Sequence, residues 1–319
     1  MKILFSILLT SILYHPLIAQ NSYDKYNWLI YAAMLEKKKS NFEKAKKYFR
    51  KAFSYKKPQG ATDVLNYAIV NLKLNKKNKA IELIKNSITM HHAPKEYILS
   101  FKEFKALEND RSYNNIVNNY KKFENEFYRN LENPSAFYSV QELIVKDQLV
   151  RETSNYLPAG NYFIDSNKKN EYEYAIINKQ DSLNITDFIE ITRKYGYQQN
   201  GWLLLWHHRG DKYIKNDYVW KFFKPYLKNE IDKGNIERSF FAQFDDEAMM
   251  FENNGQYQIY GTYENVKIND IENVDKRRIE IGLPPLYYDY LIYGSNLPND
   301  YMINEKKFYE IINSKVKDL

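Results

Sequence analysis

Ala45, Phe49 and Ala52, in NFEKAKKYFRKAF, stand 35 positions before Ala80, Ile84 and Ser87, in NKAIELIKNSI. Small, large and small side chains at helical spacing let two helix backbones approach while the bulky residue fills the groove between them. The pattern predicts paired helices within residues 20–130, with Pro58 and Pro94 closing the two units. Two pairs leave open ends, so KEYILSFKEFKALEND and SYNNIVNNYKKFENEFYRN are expected to cap the stack. The chain has no cysteine, which excludes disulfides, thiolate metal sites and a cysteine nucleophile, so the fold must rest on packing.

A period this close to 34, with small residues where helices touch, resembles the tetratricopeptide repeat. Ser87 replaces the second alanine and the usual glycine is missing, so the units are repeat-like. Such stacks imply a protein or peptide partner. Lys37, Lys38, Lys39, Lys44, Lys46, Lys47 and Lys51 read as a solvated face. Forty-seven basic residues face 40 acidic ones, too thin an excess to make nucleic acid the expected partner. His91 and His92 end the second unit and, being adjacent, make a poor metal clamp.

MKILFSILLTSILYHPLIAQ has a lysine, a short apolar run and a small residue at Ala19, which reads as a signal peptide over 1–19. The expected location is therefore the periplasm or the exterior, with no membrane span in the mature chain. Asn133-Pro134 marks a helix start and the expected domain boundary. In the helix that follows, Asp147 and Arg151 fall on the face of Val140, Leu143, Ile144 and Val150, while Tyr138, Val145 and Leu149 form an opposite strip that predicts cover on both sides. Next comes ITDFIEITRKYG, with Thr186 as expected cap and Gly196 as stop. In WLLLWHHRGD both imidazoles begin near the core, where each must find partners or lose charge. Asn254-Gly255 signals a small hairpin.

Five pieces in order, DQLVR at 147–151, WHH at 206–208, Asp246, GQYQIYGT at 255–262 and VDKRRIEIGLPPL at 274–286, resemble a bacterial domain family of unknown function. The resemblance covers about 138–293, with Trp206, Glu247 and Tyr263 departing from its pattern. It implies that Asp147, Gln148, Arg151, His207, Asp246, Gln258, Tyr260, Asp275 and Arg278 converge on one polar pocket. In that reading His207 is the catalytic base, oriented by Asp246 or Asp147, and Arg151, Gln148, Gln258, Tyr260 and Arg278 bind ligand.

The expected fold is thus mainly α. A tetratricopeptide-like helical-repeat unit occupies 20–130, a mostly helical domain with a small β-hairpin occupies 131–293, and a helical tail occupies 294–319. Function is read as an exported helical interaction module joined to a domain with a site for a small polar ligand, the alternative being a hydrolase-like enzyme using His207. No phosphate loop, dinucleotide fingerprint or histidine metal motif is present, so no cofactor and no metal are expected.

Overall fold

The computed structural model describes residues 22–155 and 166–317, and the signal-peptide expectation lies outside them. The chain is mainly helical, with one two-stranded β element among the described residues. It divides into two compact units, a discontinuous one of Met1–Asn130 with Lys228–Leu319 and an inserted one, Leu131–Leu227.

The discontinuous unit begins with α1 (22–38), α2 (Phe42–Tyr55), α3 (Ala61–Lys73) and α4 (Lys77–His91). Ala45, Phe49, Ala52, Ala80, Ile84 and Ser87 are all fully buried, and the Ser87 hydroxyl donates to the Ile84 carbonyl at 2.7 Å, which lets a polar side chain replace the alanine. The period continues into the turns. Ser40 N–H donates to Lys37 O and Asn75 N–H to Leu72 O, both at 3.0 Å; Asn41 N–H donates to Glu36 O and Lys76 N–H to Asn71 O, at 2.8 and 2.9 Å. Each second bond lies 35 residues after the first, and Ser40 and Asn75 share the left-handed conformation that ends a helix.

Short helices α5 (Lys95–Ser100), α6 (Arg111–Asn118) and α7 (Tyr120–Arg129) follow, α6 being capped by Asp110, whose carboxylate accepts from Ser112 and Tyr113 N–H. Their buried residues Ile98, Tyr113, Ile116 and Phe123 join the same core. So do Tyr287, Tyr288, Phe308, Ile312 and Val316 from the far end of the sequence. The span 131–293 is therefore shared between units, because apolar residues after 285 bury against the first helices, and part of the 294–319 tail is core.

In the inserted unit α8 (Pro134–Asn155) starts where expected, with Asn133 Oδ1 accepting from Ala136 N–H at 3.0 Å. It packs on α9 (Ser166–Tyr195), and its Ala136, Val140 and Leu143 are buried. Tyr138, Val145 and Leu149, expected to be covered on the opposite side of α8, are instead more than half exposed. Thr186 does not cap a helix either. It lies inside α9, and its hydroxyl donates back to Ser182 O at 2.8 Å, a bond that leaves the helical ladder intact. Gly196 ends α9 at φ 85° as predicted. Short helices α10 (Trp202–Trp206) and α11 (Asp211–Ile214) lead to α12 (Tyr218–Asp232), whose Trp220 and Phe223 are fully buried.

After α12 come α13 (Ala242–Glu252), β1 (Tyr257–Gln258), β2 (Lys267–Ile268), α14 (Val274–Glu280), α15 (Leu286–Tyr293) and α16 (Glu305–Val316). The β element is not a hairpin. β1 and β2 pair in parallel, and Asn254-Gly255 instead closes α13, with both residues at positive φ and Gly255 N–H donating to Met250 O at 2.7 Å. The same left-handed pair suits a tight hairpin or a helix C-cap, and the helix takes it.

Candidate functional site

The expected site residues fall into two networks, one in each unit. In the inserted unit Asp147 is fully buried on α8 and receives three groups: Gln148 Nε2 donates to Oδ2 at 2.7 Å, Arg151 Nη1 lies 2.8 Å from Oδ1, and His207 Nε2 lies 3.2 Å from Oδ2. Arg151 spends its other end on Asp181 of α9, with Nη2 at 2.8 and 3.0 Å from the two carboxylate oxygens. Burial pushes the Asp147 pKa up, but the hydrogen bond and charge of His207, the charge of Arg151 and the Gln148 amide together hold it below the usual carboxylate range. Of the two aspartates considered for His207, Asp147 is the one in reach.

His207 and His208 differ sharply. The His207 side chain is 16% exposed, whereas His208 is sealed at 2%, with neither ring nitrogen in a well-formed hydrogen bond. Trp220 Nε1–H donates to the His208 backbone carbonyl at 2.6 Å and holds the segment against α12. Burial, followed by the charge of Lys212, pushes the His208 pKa down to about 4, so its imidazole is neutral.

In the discontinuous unit the remaining motif residues build an arch. Asp246, fully buried on α13, accepts from Ile259 and Tyr260 N–H at 2.6 and 2.7 Å on one oxygen, and from Thr262 N–H and hydroxyl at 2.9 and 2.8 Å on the other. Buried Gln258 staples the next turn: its amide donates to Tyr263 O and Val266 O, and its carbonyl accepts from Tyr263 N–H. Arg278 Nη1 donates to Tyr260 O at 2.8 Å, its Nε to Pro284 O at 2.7 Å, and Nη2 pairs with Asp289 at 2.5 Å. Asp275 accepts from Leu286 N–H and the Tyr301 hydroxyl, both at 2.8 Å. These polar groups are committed to backbone, so their first job is to shape residues 259–266. The Tyr260 side chain is half-buried beside them, and burial, then Asp245 and Asp246, raise its pKa.

The arch encloses one side of a cavity of about 740 Å³, a size suited to a small molecule. Gly261 and Thr262 line it from the arch, Arg278 and Pro284 from below, and Tyr288, Asp289 and Tyr293 from α15. Tyr31 of α1 closes it, its ring 5.1 Å from that of Tyr288. Gly261 is required here. At φ 76° a β-carbon would lie 2.7 Å from Ile268 Cδ1 and 3.1 Å from Leu286 Cδ1. Of the expected ligand-binding residues, Arg278 lines this cavity and Gln258 supports its wall, whereas Gln148 and Arg151 belong to the inserted unit. Sequence reasoning missed Tyr31, Tyr288, Asp289 and Tyr293. The signal was LYYDYLIY, four tyrosines and an aspartate within one eight-residue helix.

Among the described residues no three His, Asp or Glu side chains gather as a metal site, and no helix is long and apolar enough to cross a membrane. Compared with known proteins, the chain matches no family, no curated protein and no solved structure.

Proposed function

We propose that this is an exported binding protein, whose tetratricopeptide-like helices serve a protein or peptide partner and whose small-molecule site is the cavity beneath the 259–266 arch. The observation that carries the reading is the commitment of Asp246, Gln258 and Arg278 to holding that arch over a cavity of about 740 Å³. Buried polar groups spent on one loop favour a fixed shape, which lowers the cost of binding. The bacterial family that the motifs resemble would then owe its pattern to a scaffolded pocket.

The test is equilibrium dialysis of the mature chain against a cellular metabolite extract, with retained compounds identified by mass spectrometry. Retention of a compound by wild type, and its loss in Ser295→Trp, which fills the cavity from a half-buried position on its lining, is the expected result. Retention unchanged by that substitution would contradict it.

A hydrolase-like reading is favoured by one observation, the His207 Nε2 to Asp147 Oδ2 contact at 3.2 Å. With Nε2–H given to Asp147, Nδ1 is the nitrogen able to take a proton from water or a hydroxyl nucleophile. Arg151 is already shared between two carboxylates and has little left for a substrate anion. Hydrolysis of a generic ester panel that disappears in His207→Gln would establish this reading, and an unchanged rate would remove it.

A further inference from the structure

The cavity's tyrosine wall stands among more carboxylates than cations. Asp289 pairs with Arg278 through Oδ2 alone, and among the described residues its Oδ1 makes no hydrogen bond. Asp63 and Glu237, which do not line the cavity, act electrostatically on the same wall, Glu237 on Tyr31, and Asp63 on Tyr288 and Tyr293. Asp63 accepts from the Tyr26 hydroxyl, Ser239 hydrogen-bonds Glu237, and among the described residues neither has a cationic partner. Asp275, which accepts from Leu286 N–H and Tyr301, adds its charge to Asp289. Among the described residues Arg278 is the guanidinium that lines the cavity; Asp24 with Arg238, and Asp270 with Arg277, form pairs that cancel. At the mouth, exposed Glu264 and Asp300 outnumber exposed Lys267.

A second observation points to a ligand. Tyr288 is 1% exposed, lines the cavity, and its hydroxyl has no hydrogen-bond partner, lying beside the Tyr293 hydroxyl without the geometry of a bond. A buried hydroxyl left unmade costs roughly 1–3 kcal/mol, which a ligand donor would recover. We propose that the cavity binds an organic cation, a primary alkylammonium group placed among Tyr31, Tyr288 and Tyr293 and donating to Asp289 Oδ1 and the Tyr288 hydroxyl. Aromatic rings attract a desolvated ammonium, and an alkyl chain suits the apolar remainder of the wall, Leu283, Leu286 and Pro284. Burial raises the pKa of Asp289, Asp63 and Glu237 above the ordinary carboxylate range. These groups hold charge in the folded protein at a cost that a bound cation offsets.

This inference rests on the cavity reading above and adds its ligand class. It is tested by calorimetric titration of the mature chain with butylamine, 1-butanol and butyrate, compounds of like length that differ in charge, and with putrescine. Saturable binding of the amines, at least about ten-fold tighter than the alcohol or the acid, is expected. Tyr293→Ala, at a position 67% exposed and therefore safe for folding, should weaken amine binding about ten-fold, and Asp289→Asn should do so even if it lowers stability. Amine affinity should also fall as pH drops and the carboxylates take up protons. Equal binding of alcohol or acid, lost in Ser295→Trp, would overturn the cation while leaving the cavity reading intact. Amine binding unmoved by Tyr293→Ala, Asp289→Asn and Ser295→Trp would overturn both. Absence of amine binding in a protein that retains some other cavity ligand from the extract would overturn the cation alone.

Discussion

Gly261 and His208 show how much a single position can carry. With φ at 76° and Ile268 Cδ1 2.7 Å from where a β-carbon would sit, Gly261→Ala is expected to destabilise the chain by about 1–3 kcal/mol, read by urea unfolding. An unchanged midpoint would mean the arch yields easily. His208 sets a pH dependence. Its folded pKa of about 4 lies below the ordinary 6.5, so the unfolded chain takes the proton first. The stability that the neutral ring contributes is complete above about pH 6.5 and is lost as pH falls toward 4, amounting to about 2 kcal/mol at pH 5. His208→Leu removes two unpaired nitrogens, should be near neutral at pH 7, and should flatten the slope between pH 7 and 5. Identical slopes in variant and wild type would refute this assignment. Both histidines have the same apolar approach along the chain, and it is tertiary packing, with Trp220 bonded to the His208 carbonyl, that distinguishes the sealed ring from the one that reaches Asp147.

Among the elements, the α8–α9 pair is bound by a cation between two carboxylates. Arg151→Leu leaves buried Asp147 and Asp181 facing one another without it and is expected to cost about 3–5 kcal/mol, measured by thermal or urea unfolding. A loss below about 1 kcal/mol would show the bridge to be dispensable. Spacing alone put Asp147 and Arg151 on the buried face, because their partners on that face recur at the helical period. It could not show Asp181, which arrives from the next helix. Elsewhere one local signal fitted two structures. Thr186 looks like a cap but can back-bond inside a helix, and Asn254-Gly255 suits a hairpin but closes α13, a choice made by the buried carboxylate of Asp246 gathering residues 259–262 into an arch. The 35-residue period was legible because the turns that enforce it are local, down to matching backbone bonds at Ser40 and Asn75.

For the molecule as a whole, a net charge of +7 repels a cation at long range, yet the proposed site includes Asp289, and Glu237 and Asp63 act electrostatically on its Tyr31 and Tyr288. Salt screens the distant field far more than the local one, so amine affinity is expected to rise or hold as salt increases from low to physiological ionic strength, a result read from the same titrations. A steep fall with salt would place binding at exposed surface carboxylates instead. The motif residues expected to meet in one pocket are divided between the two units, and Tyr31, which closes the cavity, comes from more than 200 residues before α15. No periodicity within either segment announces that meeting. The most direct test of the central claim is hydroxyl-radical footprinting with and without the ligand retained from extract or the bound amine. Protection of Tyr290 and Tyr293, the exposed tyrosines that line the cavity, is the predicted result; protection of Trp206 and His207 instead, with those tyrosines unchanged, would contradict it.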